Sequence, residues 1–126
     1  MADTGKVTNI GLGIITGLLA SSANKHVHWG TGATAADATQ TALVTPSSDE
    51  TRASGAQSQV TTSVANDTYQ VVATLTCASA AKAITEVGVF SAATGGSMYS
   101  RNAFDAINLA VGDSIQFTIK SQYTQA

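Results

Sequence analysis

The sequence predicts a mainly β protein, an antiparallel β-sandwich with one short N-terminal helix, and three observations lead there. From Gly55 onward, apolar and polar residues alternate in successive runs, as strands with one buried face require. Turn-forming residues separate those runs: Asn66-Asp67, Gly95-Gly96 and the stretch from Asn108 to Gly112. Only the segment around Ile10 shows helical spacing instead. A jelly-roll-like winding is the expected topology, with strand order left open. No heptad, collagen-like tract or internal repeat is present, which excludes a fibrous shaft.

The 126 residues make one domain, 1–126. Of the apolar residues 22 are alanine, leaving 33 larger ones, so a sandwich built on them has a thin core. Such a domain is expected to gain stability from a partner or from copies of itself. Charged residues are 11 % of the chain, against about a quarter in ordinary soluble proteins. Thr, Ser, Gln and Asn fill the polar positions, which suits packing against other protein because little charge has to be desolvated. The net charge of −2 offers no electrostatic footprint for nucleic acid or an anionic membrane.

Residues 1–8 read as a polar N-terminal arm. Beyond it, apolar residues at 10, 14, 15, 18 and 19 have helical spacing, with Thr8 or Asn9 as the cap. Gly11, Gly13 and Gly17 each weaken that helix by about 1 kcal/mol relative to alanine, and would suit close packing against a sheet. A secretory leader is the rival reading, since Lys6, the apolar run and Ala20-Ser-Ser-Ala23 imitate its three regions. The expectation is that the segment belongs to the folded chain. It is too short to span a bilayer, which needs about 20 apolar residues.

Lys25 to Gly30 reads as a short strand with His26 and His28 on one face and Val27 and Trp29 on the other, so Trp29 is expected in the core. Two imidazoles without a placed third ligand make a weak metal site, and they are expected to face outward as polar groups. Gly30-Thr-Gly32 lacks the third glycine of a dinucleotide-binding loop. Residues 31–55 are mostly small and polar and hold the only proline, Pro46. They read as a long ordered surface loop, pinned by Leu43 and Val44.

The strands follow. Gln57 to Val64 and Tyr69 to Cys77 flank the Asn66-Asp67 turn, and Tyr69, Val71, Leu75 and Cys77 share one face. The single Cys77 is therefore expected as a buried free thiol. Next comes a hairpin, Ile84 to Phe90 and Ser97 to Phe104, closed through Gly95-Gly96. Alternation puts Thr85, Val87 and Val89 on one face and Ile84, Glu86, Gly88 and Phe90 on the other. A carboxylate between Ile84 and Phe90 needs a partner if that face is buried. Arg101, on the returning strand, is the natural one, and Glu86 with Arg101 is expected as a structural pair. In the last strand Ile115, Phe117 and Ile119 face inward.

No nucleophile elbow, paired-carboxylate signature, His-Glu-x-x-His or Cys-x-x-Cys occurs, and the acids lie scattered from Asp3 to Asp113. No enzyme and no cofactor are expected.

The hairpin Ile84-Thr-Glu-Val-Gly-Val-Phe90, Ala93-Thr-Gly-Gly96 and then Arg101 to Phe104 resembles small virion proteins of tailed bacteriophages. Thr8 to Leu19, Trp29 to Thr34 with Asp37 to Leu43, and Val111 to Ile119 fit the same pattern in order. The resemblance implies the virion. A short free-standing domain without a shaft favours a capsid cement or decoration protein, on the outer surface of the capsid, over a tail part. Its partners would be the major capsid protein and itself, as a homodimer or homotrimer, with no nucleic acid and no membrane. The contacts are expected from Asp3, Thr4, Lys6 and Val7 in the arm and from Leu43, Val44 and Pro46 in the loop. The alternative is a tail component or receptor-binding head domain, with Trp29, Tyr69 or Tyr99 stacking on host sugars. A secreted bacterial binding module is a third class.

Overall fold

Thr8 starts the first element. Its Oγ1 accepts the backbone N–H of Gly11 at 3.0 Å, and helix α1 runs over Asn9–Ala20. The computed structural model describes residues 5–125. Seven strands follow: β1 (His26–Gly30), β2 (Ala53–Ser54), β3 (Ala56–Val60), β4 (Thr68–Thr76), β5 (Lys82–Phe90), β6 (Met98–Leu109) and β7 (Ser114–Gln122). They form two antiparallel sheets, ordered β2-β1-β5-β6 and β3-β4-β7. A jelly roll has eight strands in two Greek keys. The seven strands here divide four and three, and a β-sandwich is the description they support.

The core lies between the sheets. Val27 and Trp29 of β1 pair across the ladder with Val89 and Val87 of β5, and all four side chains are buried. Tyr69, Val71, Ala73 and Leu75 of β4, with Cys77 just beyond it, come from the opposite sheet. Trp29 packs edge-on against Phe117 with ring centroids 6.3 Å apart. Alternation placed these residues correctly because β1, β4 and the Glu86–Phe90 part of β5 keep the two-residue period.

In β5 the period breaks. Between the pairs Ile84–Ile107 and Glu86–Ala103, the single Thr85 faces three β6 residues, Phe104, Asp105 and Ala106. This bulge turns Ile84 into the core with Val87 and Val89, whereas strict alternation grouped it with Glu86. Glu86, Gly88 and Phe90 remain on the other face of the sheet.

The helix also departs from expectation. Leu12 and Thr16 are buried and Ile15 and Leu19 half-buried, but Ile10, Ile14 and Leu18 point outward. Polar groups fix this orientation. Thr16 Oγ1 donates to the Asn66 carbonyl at 2.7 Å, while Gln59 and Gln57 of β3 donate to the carbonyls of Gly13 (2.6 Å) and Leu19 (3.0 Å). The side with Leu12, Ile15, Thr16 and Leu19 lies down on the sheet, and the side with Ile10, Ile14 and Leu18 is left outside. Gly13 and Gly17 sit on the flank beside Asn66 and Gln59.

Asn66 adopts a positive φ of 57° at the β3–β4 turn. Asp67 then accepts the backbone N–H groups of Thr62, Ser63 and Val64 at 2.8–3.0 Å, which closes the turn around one buried carboxylate. These bonds outweigh the cost of burial and hold its pKa far below the usual carboxylate range.

Candidate functional site

The outer face of the β1–β5 ladder carries His26, His28, Gly30, Glu86, Gly88 and Phe90. In a free sandwich this face would be wet. Here residues 31–52 fold back across it.

Glu86 is the centre of that clasp. Its side chain is fully buried, and its two oxygens accept four hydrogen bonds. Oε1 takes Arg101 Nε at 2.9 Å and the Val44 N–H at 2.8 Å. Oε2 takes the N–H groups of Gly32 (2.9 Å) and Thr45 (2.8 Å). Burial alone would raise the Glu86 pKa; the backbone donors from Thr45, Val44 and Gly32, with Arg101, outweigh it and lower the pKa. The sequence offers room for this. Gly30 pairs directly across from Glu86, and a Cβ on Gly30 would stand 2.3 Å from the Thr45 carbonyl oxygen. The Gly30-Thr-Gly32 turn does present its backbone to an anion, and that anion is the chain's own carboxylate.

A second carboxylate holds the far end of the loop. Glu50 accepts Trp29 Nε1 (2.6 Å), Ser47 Oγ (2.6 Å), the Ala78 N–H (2.9 Å) and Lys82 Nζ (2.5 Å). Burial raises its pKa, but Lys82, Ser47, Trp29 and Ala78 together bring it down from 4.5 to about 2. Between the two carboxylates, Leu43 packs on Gly88, and the Ser47 carbonyl meets His28 Nε2 at 2.7 Å. Arg52 lies 3.8 Å over the Phe90 ring and donates to the carbonyls of Ala92 and Gly95 in the β5–β6 turn.

Several expectations change as a result. His28 is buried under the loop instead of facing outward, and only His26 on that face is partly exposed. Leu43 is buried against the sheet, so it fastens the loop and is not free to contact a partner. Val44 and Pro46 are exposed on the loop's outer side. In the arm, Lys6 and Val7 are exposed, and Gln125 Nε2 donates to the Val7 carbonyl at 3.0 Å. Asp3 and Thr4 lie outside the described residues. Trp29 and Tyr69 are 0 % and 1 % exposed, which removes both as sugar-stacking platforms; Tyr99 is half-buried against Tyr69.

What the sequence reading missed is the outward face of α1. Val7, Ile10, Ile14 and Leu18 are 47 %, 81 %, 60 % and 68 % exposed, and the helix has no charged residue. Apolar residues lie on two sides of the helix, Leu12, Ile15 and Leu19 on one and Ile10, Ile14 and Leu18 on the other, so the spacing alone marked no single buried face. A row of large apolar groups in water is unusual for a chain that stands alone.

Among the described residues, no three His, Cys, Asp or Glu side chains are grouped to hold a metal, and no helix is long and apolar enough to cross a membrane. No family model, no curated protein and no solved structure matches this chain. Fold and site define a class by geometry alone: a small antiparallel β-sandwich whose surface loop is fastened by buried carboxylates and whose helix presents an apolar face outward.

Proposed function

We propose that this chain is a structural virion protein of a tailed bacteriophage, a capsid cement or decoration protein acting on the outer capsid lattice. It works as a homodimer or homotrimer bound to the major capsid protein. The observation that carries the reading is the uncharged outward face of α1 with Val7, Ile10, Ile14 and Leu18. Burying such a face against another protein releases ordered water and needs no charge to be desolvated. The clasped loop supports the same reading. A surface held in one shape by Glu86 and Glu50 loses little entropy on binding, which favours a lasting contact over a transient one.

The action is thermodynamic. A protein that binds the assembled shell and not its free subunits stabilises the shell by mass action, and several linked copies add avidity. The alternative, a tail component, keeps the same binding face but a different address. Copy number in purified particles separates them. Hundreds of copies per particle fit a cement protein, and a handful would overturn it in favour of the tail.

A further inference from the structure

The two long sides of the sandwich differ. On one side Gly55 joins β2 directly to β3, and α1 lies over β3 with Leu19 and Ala20 against the core. On the other side β6 and β7 are the outermost strands of their sheets. Between them runs a groove of about 630 Å³. Its walls are Phe104 and Ile107 from β6 and Ile115 and Phe117 from β7. The two phenylalanines and Ile115 are only half-buried, and Ile107 is 41 % exposed. Two charged residues line the groove, Asp105 on the β6 wall and Lys120 on the β7 wall. Both are exposed, and neither belongs to an ion pair among the described residues.

We propose that a second copy of this chain covers the groove, the β6–β7 side of each copy packing on that of the other about a two-fold axis. The charges select this occupant. In a two-fold contact the patch must complement itself. One acid on one wall and one base on the other do so, because Asp105 of each copy comes opposite Lys120 of the other. A nucleic acid or anionic surface is not selected, because Asp105 offsets Lys120 and leaves the groove without net positive charge. The contact is made by side chains, since the bulge at Phe104–Ala106 kinks the β6 edge away from continuous strand pairing. The inference rests on the proposed oligomer for its partner, and names the surface that forms it.

Sedimentation of the full chain at micromolar concentration, with charge-exchanged variants, tests this. The native chain is expected to be a dimer. Asp105→Lys and Lys120→Asp should each weaken the dimer by about tenfold, because like charges then meet across the axis. The double variant D105K/K120D should restore it, and Ile107→Asp should leave a monomer. Asp105 and Lys120 are exposed, so circular dichroism and melting should remain native in the charge variants. A monomeric or trimeric native chain, single exchanges without effect, or a double exchange that fails to restore the dimer would each overturn the proposal. A dimer formed through this groove but missing from capsids would overturn the capsid reading alone; a monomer that still decorates capsids would overturn this inference alone.

Discussion

Gly32 donates its backbone N–H to Glu86 Oε2 at 2.9 Å, and a Cβ on Gly32 would lie 2.6 Å from that same oxygen. The two residues are 54 positions apart, and their contact fastens the loop to the sheet. Gly32 is needed here because the donor must come closer than a side chain permits.

Gly32→Ala should therefore lift the loop without unfolding the sandwich. The overpacking should cost about 1–3 kcal/mol. Hydrogen exchange should accelerate at the amides of Val44 and Thr45, while β4 amides stay protected. Unchanged exchange at Val44 and Thr45 would show that the clasp does not depend on this close approach.

Glu86→Ala leaves the Arg101 guanidinium buried without its carboxylate and three backbone donors without an acceptor. Removing one partner of a buried pair costs about 3–5 kcal/mol, and denaturant unfolding should show a loss of that size. Arg101→Ala should cost less, since Glu86 keeps its three backbone donors. Equal losses for the two would mean that the ion pair, not the backbone cradle, dominates.

Acid should loosen the loop. Glu86 and Glu50 both have folded pKa values below their ordinary 4.5, Glu50 at about 2. A depressed carboxylate contributes stability that is complete above its unfolded pKa and is lost as pH falls through the folded one. The melting temperature should be flat above about pH 5 and fall between pH 4.5 and 2. Replacing Glu50 by Gln should flatten that decline. A melting temperature that rises on acidification would contradict the sign of both shifts.

Trp29→Ala should cost about 3–5 kcal/mol, because the indole is fully buried and its Nε1 donates to Glu50. The native fluorescence should resist quenching by iodide. Efficient quenching would place the ring in solvent and revive a sugar-stacking role.

Ile10→Ser with Ile14→Ser should leave unfolding within about 0.5 kcal/mol of native, since both side chains already face water. Occupancy on purified capsids should nonetheless fall severalfold. Capsids that bind the double variant as tightly as the native chain would remove the helix face from the mechanism.

The sequence by itself determined the β class, the helix with its cap narrowed to Thr8 or Asn9, the turns at Asn66 and Gly95-Gly96, and the core positions of Trp29, Tyr69, Val71 and Leu75. All are local properties, set by the two-residue strand period, by side chains that cap or turn their own backbone, and by glycine's freedom at positive φ. It also singled out Glu86 and Arg101, because a carboxylate in an apolar strand calls for a donor close by. Only the tertiary structure decided what lies on the second face of that strand. His28, Leu43 and Glu86 are buried because residues 31–52 return across the sheet, and the loop's bonds to Glu86 join residues 41 to 54 positions apart, which no local period records. The orientation of α1 was decided the same way. The row at 10, 14, 15, 18 and 19 marks an apolar helix side, but Gln57, Gln59 and Asn66 draw the side of Leu12, Ile15, Thr16 and Leu19 down and leave Ile10, Ile14 and Leu18 in water. Periodicity shows which side chains share a face. Which face is covered depends on hydrogen-bond partners that only the folded chain brings together.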